Sequence, residues 1–199
     1  MPRRLTVALA AVAGLAVAAA GAWFWLGSDQ PRPAALRSER TSALYSLIDS
    51  RHADSRPLTV DEVFTVGTAS LGALRRVSAE QLEDCEAALW GATATGCTQA
   101  LQATYEGPAG VAGQFVIFNL VDGRAADALV TALGKDGFVR PAVSLDAAHS
   151  RAAVRAMGHY VTVSWAGTPA GRGGTDLVAT LIELDKLGKV VQSRVIAAT

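Results

Sequence analysis

Only two of the 199 residues are cysteines, and they lie close together, at Cys85 and Cys97. Two cysteines without a nearby histidine supply only half of a tetrahedral zinc shell, so the sequence gives little support for a zinc site. Their spacing also differs from the C-x-x-C spacing of redox-active thiol pairs. The pattern favours one structural disulfide, and a pair of buried reduced thiols is the alternative for a chain that stays in a reducing compartment.

The sequence also lacks an excess of charge of either sign. Arg3 and Arg4 are two of the 18 basic residues, which leaves 16 Lys and Arg against 18 Asp and Glu after residue 27. No basic block occurs in this part of the chain. We therefore expect no nucleic-acid partner and no strong electrostatic attraction to lipid headgroups.

Recognisable catalytic and cofactor motifs are missing as well. The sequence contains neither G-x-S-x-G nor S-x-x-K, and its Gly-rich segment AGRGGTD lacks the G-K-[ST] ending of a phosphate-binding loop. The histidines His52, His149 and His159 show none of the local spacings of a metal centre. The sequence thus predicts no catalytic residue, no metal ligand and no cofactor. An enzyme site assembled from distant residues, using His149 or His159, stays open as a hypothesis.

One long uncharged run is present at the start of the chain. It extends from Leu5 to Gly27 directly after Arg3 and Arg4, and as a helix it would be about 34 Å long, against about 30 Å for the hydrocarbon core of a bilayer. We predict a transmembrane signal-anchor over residues 1–27, with a cleaved signal peptide ending in AVAAAGA, or a twin-arginine export signal, as alternatives. The positive-inside rule places the N-terminus in the cytoplasm and the rest of the chain outside, where a disulfide persists.

The remainder of the chain divides into a tether and one domain. Prolines and charges predict an exposed tether over residues 28–56, with a short helix indicated over residues 38–48. Residues 57–199 have the length of a single domain. Near the start of this domain, Thr59 and Glu62 have the spacing of a capping box.

Periodicity predicts a mixed α+β fold for this domain. In chain order the patterns indicate a strand over 71–77, a helix over 78–90 opened by a capping box of Ser78 and Gln81, strands over 97–106 and 111–120, a helix over 123–133 capped by Asp122, a short strand over 138–140, a hairpin over 150–165 with its turn near Gly158, and a helix from Thr175 kinked at Gly188. This order predicts an antiparallel sheet with a ferredoxin-like βαββαβ core, an added hairpin and a C-terminal helix.

Three segments, CEAALWGATATGCTQALQATY, GQFVIFNL and HYVTVSW, follow one another in the chain. Together they resemble a group of uncharacterised single-pass membrane proteins of actinobacteria that have a short N-terminal anchor and an extracytoplasmic domain with a Cys pair. The resemblance covers about residues 57–196. It implies an extracytoplasmic α+β domain, and it implies no activity and no catalytic residue.

These observations predict a membrane-anchored extracytoplasmic domain of the binding or sensor-like type. Its partners would be the lipid bilayer, through the N-terminal helix, and an envelope protein or a small ligand. Two alternatives stay open: a cell-envelope enzyme with a dispersed site, and a structural or assembly subunit that pairs through the apolar stripe of Leu181, Leu184 and Val191. Trp90 is expected in the core, with ligand stacking as its minor alternative.

Overall fold

The computed structural model describes residues 31–170 and 176–199. The predicted anchor over residues 1–27 and most of the Gly-rich segment lie outside these residues. Within them, no helix is both long and apolar enough to cross a membrane.

Nine strands and four α-helices form the described part of the chain. The strands are β1 (Ala35–Glu39), β2 (Ser70–Leu71), β3 (Leu74–Gln81), β4 (Leu89–Trp90), β5 (Gln99–Glu106), β6 (Ala112–Asn119), β7 (Phe138–Val139), β8 (Ser150–Met157) and β9 (Tyr160–Gly167). The helices are α1 (Val60–Val63), α2 (Gly123–Lys135), α3 (Leu177–Asp185) and α4 (Lys189–Ala197), and the longest 3₁₀ helix is Ser42–Ile48.

The main sheet has seven strands in the order β1-β8-β9-β6-β5-β3-β2. All neighbouring strands are antiparallel except β1 and β8, which are parallel. Strands β4 and β7 form a separate two-stranded ladder. The connection from β6 through α2 to β8 is a split β-α-β unit, because β9 lies between the two parallel strands. The predicted mixed α+β fold with a predominantly antiparallel sheet is confirmed.

Both faces of the central strands are covered. On one face Val116 and Phe118 of β6 pack with the apolar side of α2, and on the other Phe115 and Ile117 pack with the C-terminal helices. Because neither face meets water, β6 is buried at every position and its sequence reads as a nearly continuous apolar run.

Several sequence-predicted elements have the expected place and caps. The hairpin of β8 and β9 turns at Gly158, and Asp122 caps α2 by accepting a hydrogen bond from the backbone N–H of Ala125. Thr59 caps α1, since its side chain accepts from the N–H of Glu62. The Glu62 carboxylate binds Arg56 and Arg194 instead, so only the N-cap half of the predicted capping box is confirmed. The C-terminal helix is interrupted by a 3₁₀ turn, Lys186–Gly188, as its kink at the glycine predicts.

The C-terminal stripe faces the domain's own sheet. Leu184 and Val191 are fully buried, and Leu181 is half-buried against the same core. This stripe is therefore not available for pairing with another chain.

The helix predicted over residues 78–90 is wrong. Residues up to Gln81 belong to β3, and only the 3₁₀ turn Glu86–Ala88 is helical in this stretch. Ser78 does not cap a helix, because its hydroxyl bonds to the Thr104 hydroxyl across the sheet at 2.7 Å. Without this helix, the described residues do not follow the βαββαβ order of a ferredoxin-like core.

The tether predicted over residues 28–56 also differs from the structure. The compact unit begins at Pro31, β1 pairs along the edge of the sheet, and Ile48 is fully buried. The short helix indicated near residues 38–48 exists as a 3₁₀ helix. Arg155 fixes the segment by bonding to both Glu39 and Asp185. These residues belong to the domain because β1 pairs with the distant strand β8. The local amino-acid composition does not indicate this pairing.

Candidate functional site

The two cysteines form a disulfide, as the sequence predicts. Cys85 and Cys97 have Cα atoms 6.3 Å apart. Cys85 precedes the 3₁₀ turn Glu86–Ala88, and Cys97 lies two residues before β5. The bond therefore closes the loop between β3 and β5 against the core under α2. The described residues contain no free cysteine.

Among the residues that the structure describes, the most buried charged side chain is Arg194 of α4, which is 5 % exposed. Its guanidinium donates five hydrogen bonds: from Nε and Nη2 to the two oxygens of Glu62, from Nη1 to Asp54 and to the carbonyl of Arg56, and from Nη2 to the carbonyl of Pro57. A guanidinium has five N–H donors. All of them are used inside the protein, so Arg194 has no donor left for a ligand.

Tyr160 and His159 extend this buried cluster towards the sheet. The Tyr160 hydroxyl donates to Asp54 Oδ2 at 2.8 Å. Burial and the neighbouring carboxylate of Asp54 raise the pKa of Tyr160 well above its ordinary value, so the phenol stays protonated. His159 Nδ1 lies 2.8 Å from the carbonyl oxygen of Ile48, and its Nε2 is buried with no hydrogen-bond partner among the described residues. Burial lowers the pKa of His159, which keeps the ring neutral.

The histidines of the enzyme hypothesis do not assemble a pocket. His149 Nδ1 contacts Asp146 Oδ2 at 2.8 Å, but the pair is local, three residues apart, and the imidazole is 48 % exposed. His159 is enclosed in the core. Neither His149 nor His159 lines either of the two grooves described below. Among the described residues, no group of three side chains could bind a metal ion.

Arg32 was expected in an exposed tether, and it is docked on the domain. Its guanidinium donates to the carbonyls of Leu133, Lys135 and Gly137 at the C-terminal end of α2. It also lies 5.9 Å from the ring centroid of Trp90. The carbonyls of Leu133 and Lys135 belong to the last turn of α2, where they have no partner within the helix and carry partial negative charge, so a cation is favourable there. Trp90 packs against the core, in agreement with its expected role.

An apolar groove of about 430 Å³ in the described part of the chain is a candidate for ligand binding. We call it the turn groove, because it lies between the β2–β3 turn, the β5–β6 loop and the outer side of α3. It is lined by Leu71, Gly72, Ala73, Leu74, Pro108, Ala109, Val111, Ala179, Thr180 and Glu183. The Thr180 hydroxyl and the Glu183 carboxylate are the polar side-chain groups of this set.

Both turns of the groove have unusual backbone conformations. Ala109 has φ +57°, the left-handed region that a residue with a Cβ seldom adopts, and Gly72 has φ +58°. Glu183 lies directly over Gly72, where an added Cβ would stand 3.2 Å from its Cγ. The Glu183 carboxylate accepts a hydrogen bond from Lys186 Nζ at 2.5 Å. Glycine adopts the left-handed conformation without strain, so the strained residue is Ala109, and strained residues often occur at binding surfaces.

A second groove, of about 410 Å³, is polar and is lined by residues that include Ser42, Asp49, Asp122 and Arg124. Asp122 in this groove caps α2, and Ser42 donates to Asp127 at 2.6 Å. Two of its polar side chains are therefore engaged, Asp122 in capping α2 and Ser42 in holding the N-terminal segment on α2.

Sequence reasoning identified the disulfide and missed Arg194, Arg32 and the turn groove. A charged residue three positions after the buried Val191 was a signal that Arg194 faces inwards with partners, since helical neighbours at this spacing share a face. No local sequence pattern indicated the turn groove, because its walls come from three separate parts of the chain. Compared with known proteins, the chain matches no family model, no curated protein and no solved structure.

Proposed function

We propose that this chain is a membrane-anchored extracytoplasmic domain that binds an apolar ligand in the turn groove. The groove itself is the observation that carries the proposal. Its volume of about 430 Å³ falls within the range of about 300–1,000 Å³ that is usual for small-molecule sites. Its lining is mainly aliphatic with few polar groups, as in such sites.

The disulfide supports the extracytoplasmic location. A bond between Cys85 and Cys97 persists in an oxidising compartment and is rare in a reducing one. The uncharged run from Leu5 to Gly27, preceded by two arginines, supports an anchor that leaves the C-terminal part outside.

The location is tested in intact cells that express the full chain. A membrane-permeant maleimide is added before lysis, and its incorporation at Cys85 and Cys97 is measured with and without prior reduction. We expect labelling only after reduction, and we expect protease added outside to degrade the domain. Free thiols, or a domain shielded by the membrane, would contradict the proposal.

Binding is tested with benzophenone, a small apolar photo-reactive probe. The full chain is irradiated with the probe, digested, and the modified residues are mapped by mass spectrometry. We expect adducts at the groove residues Leu71, Pro108 and Thr180. Ala179→Trp fills the groove and should remove these adducts, whereas Val178→Trp, on an exposed neighbouring position of α3 outside the groove, should leave them. Adducts that are spread over the surface, or unchanged in Ala179→Trp, would refute groove binding.

A further inference from the structure

The first strand and the 3₁₀ helix that follows it lie at the edge of the domain. We call residues 35–51 the strap. Strand β1 is the last in the order of the sheet and, among the described strands, pairs only with β8, so it can separate without breaking another strand pair. The strap ends at the exposed residues His52 and Ala53, and the next residue, Asp54, is bound by Arg194. These boundaries allow the strap to move as a unit.

A buried histidine binds the strap near its C-terminal end. The Ile48 carbonyl accepts the backbone N–H of His159 at 3.0 Å, and Nδ1 of the same histidine lies 2.8 Å from this carbonyl oxygen. Both residues are 0 % exposed. The imidazole is therefore enclosed by the strap, and departure of Ile48 would expose it to water.

The hydrogen bond to Ile48 determines where an additional proton would bind. A carbonyl oxygen can only accept, so Nδ1 carries the proton of the neutral ring. The next proton can bind only at Nε2, which is buried and has no hydrogen-bond partner among the described residues. An N–H group at this position would lack an acceptor, and a buried donor without an acceptor costs free energy. The closed strap therefore disfavours the imidazolium form of His159.

The titratable and charged groups that face the ring come from the strap, the C-terminal helix, β9 and the segment before α1. The Tyr160 ring lies 4.0 Å from the imidazole, measured between centroids. Burial lowers the pKa of His159, and the positive charges of Arg51 and Arg194 lower it further. A backbone carbonyl and the Asp54 carboxylate act in the opposite direction and do not offset the burial.

The other side chains that bind the strap to the domain carry hydroxyl, carboxylate or guanidinium groups. Thr41 donates to the Ala156 carbonyl, Ser42 donates to Asp127, Arg155 donates to Glu39, and Arg51 donates to the carbonyls of Leu120 and Gly96. Histidine is the only side chain whose ordinary pKa lies between about 5 and 8. Mild acid is therefore expected to act on the strap through His159.

We infer that the strap is released from the domain in mild acid, when His159 takes up a proton at Nε2. In the released state the ring is exposed to water and has the ordinary pKa of about 6.5. Above that pH the ring is neutral in both states and contributes no pH dependence. Below it the released state binds a proton that the closed state does not, so release becomes more favourable until the lowered pKa of the closed state is reached.

Release of the strap precedes unfolding of the whole domain. Global unfolding gains the same proton at His159, but a local opening starts from a smaller free-energy difference, since it breaks only part of the structure. Acid therefore frees residues 35–51 while the central strands stay folded. This inference does not depend on the ligand-binding function proposed for the turn groove.

Hydrogen exchange of the full chain in a non-ionic detergent measures this release. Exchange is followed by mass spectrometry at pH about 7.5 and about 5.5, with rates corrected for the intrinsic effect of pH. We expect the opening constant of the strap amides to rise about three- to tenfold, the upper value being that for a released-state pKa of about 6.5. Their exchange should depend less on urea than that of β5 and β6, because a local opening exposes less surface.

Matched variants separate His159 from the other groups that titrate in this range. His159→Asn keeps a donor for the Ile48 carbonyl and removes the titrating ring, so it should abolish the rise and leave the strap protected at pH about 7.5. His159→Gln is the second such variant and guards against a folding defect in the first. His52→Asn, at an exposed position directly after the strap, should retain the full rise.

Three outcomes would overturn the inference. An opening constant of the strap that is the same at both pH values would show that acid does not release it. An equal rise in the His159→Asn and His159→Gln proteins would assign the release to other groups. Strap amides with the same opening constant and urea dependence as those of β5 and β6 would show that the strap leaves the domain only by global unfolding.

Discussion

Arg194 Nη1 lies 2.8 Å from Asp54 Oδ1, although the two residues are 140 positions apart in the chain. The bond joins the last helix to the segment that precedes α1. The same guanidinium binds Glu62 through two N–H groups, an arrangement that fixes geometry as well as charge. Residues 54–62 and the C-terminal helix therefore stabilise each other. The stability of the domain thus depends in part on Asp54, which was expected in the tether.

Replacing Arg194 with Leu should strongly destabilise the domain. Asp54 and Glu62 would be left as carboxylates without their buried cation, and such a loss costs about 3–5 kcal/mol. The measurement is the free energy of unfolding in urea. Arg56→Ala is the matched control, because Arg56 also contacts Glu62 but is 72 % exposed, and exposed pairs contribute about 0–1 kcal/mol. Equal losses in the two variants would show that burial of the cluster does not matter.

Gly158 should not tolerate a side chain. It has φ +61°, and an added Cβ would stand 2.2 Å from the carbonyl oxygen of Ile48. That oxygen also accepts the N–H of His159. Gly158→Ala should therefore lower the free energy of unfolding by about 2 kcal/mol or more. Gly67→Ala is the control, because its Cβ would meet only ordinary contact at 3.5 Å, and a change within about 0.5 kcal/mol is expected there. A Gly158→Ala protein of unchanged stability would disprove the turn geometry.

The buried His159 should make stability fall in mild acid. Burial holds the pKa of His159 below its ordinary value in the folded state, while the unfolded chain has the ordinary value of about 6.5. Above that pH both states are neutral and the residue contributes no pH dependence. As the pH falls below about 6.5 the unfolded state takes up a proton that the folded state does not, so the free energy of unfolding decreases by up to about 1.4 kcal/mol per pH unit until the folded pKa is reached.

Urea unfolding between pH about 7 and 5 measures this dependence. His159→Asn keeps a donor for the Ile48 carbonyl and should flatten the curve, whereas His52→Asn, at an exposed position, should retain the decline. A curve that is identical in His159→Asn and the unmodified chain would assign the acid sensitivity to other groups.

The prediction of a helix over residues 78–90 failed because a β-bulge hides the strand pattern. The register of β3 against β5 shifts between Arg76 and Ser78, and the bulged Val77 is 61 % exposed. An extra residue breaks the alternation of period two on which strand recognition depends. The apolar residues Leu82, Cys85 and Leu89 kept a helical spacing, but beyond Gln81 the chain forms only the 3₁₀ turn Glu86–Ala88.

Elements with complete local signals were predictable. Strand β6, helix α2 with its Asp122 cap, and the β8–β9 hairpin each carry their pattern within one segment. β1 has no such pattern, because its single large apolar residue is Leu36 and its position depends on parallel pairing with β8. The turn groove depends on the same kind of long-range pairing, since the register of the sheet brings residues near 72 and 109 to α3. Local periodicity does not contain that register.

Removing the disulfide should lower stability without unfolding the core. The bond joins residues 12 positions apart, and closure of a loop of about 15 residues contributes about 3 kcal/mol in the chain-entropy model. The double variant Cys85→Ala with Cys97→Ala should lose about 2–4 kcal/mol in urea unfolding, because residues 85–97 then have more freedom in the unfolded chain. Reductant should destabilise the unmodified chain by a similar amount and leave the double variant unchanged. If reductant weakened both proteins alike, its action would lie outside the disulfide, and if it weakened neither, the bond would add nothing to a loop already held by the core under α2.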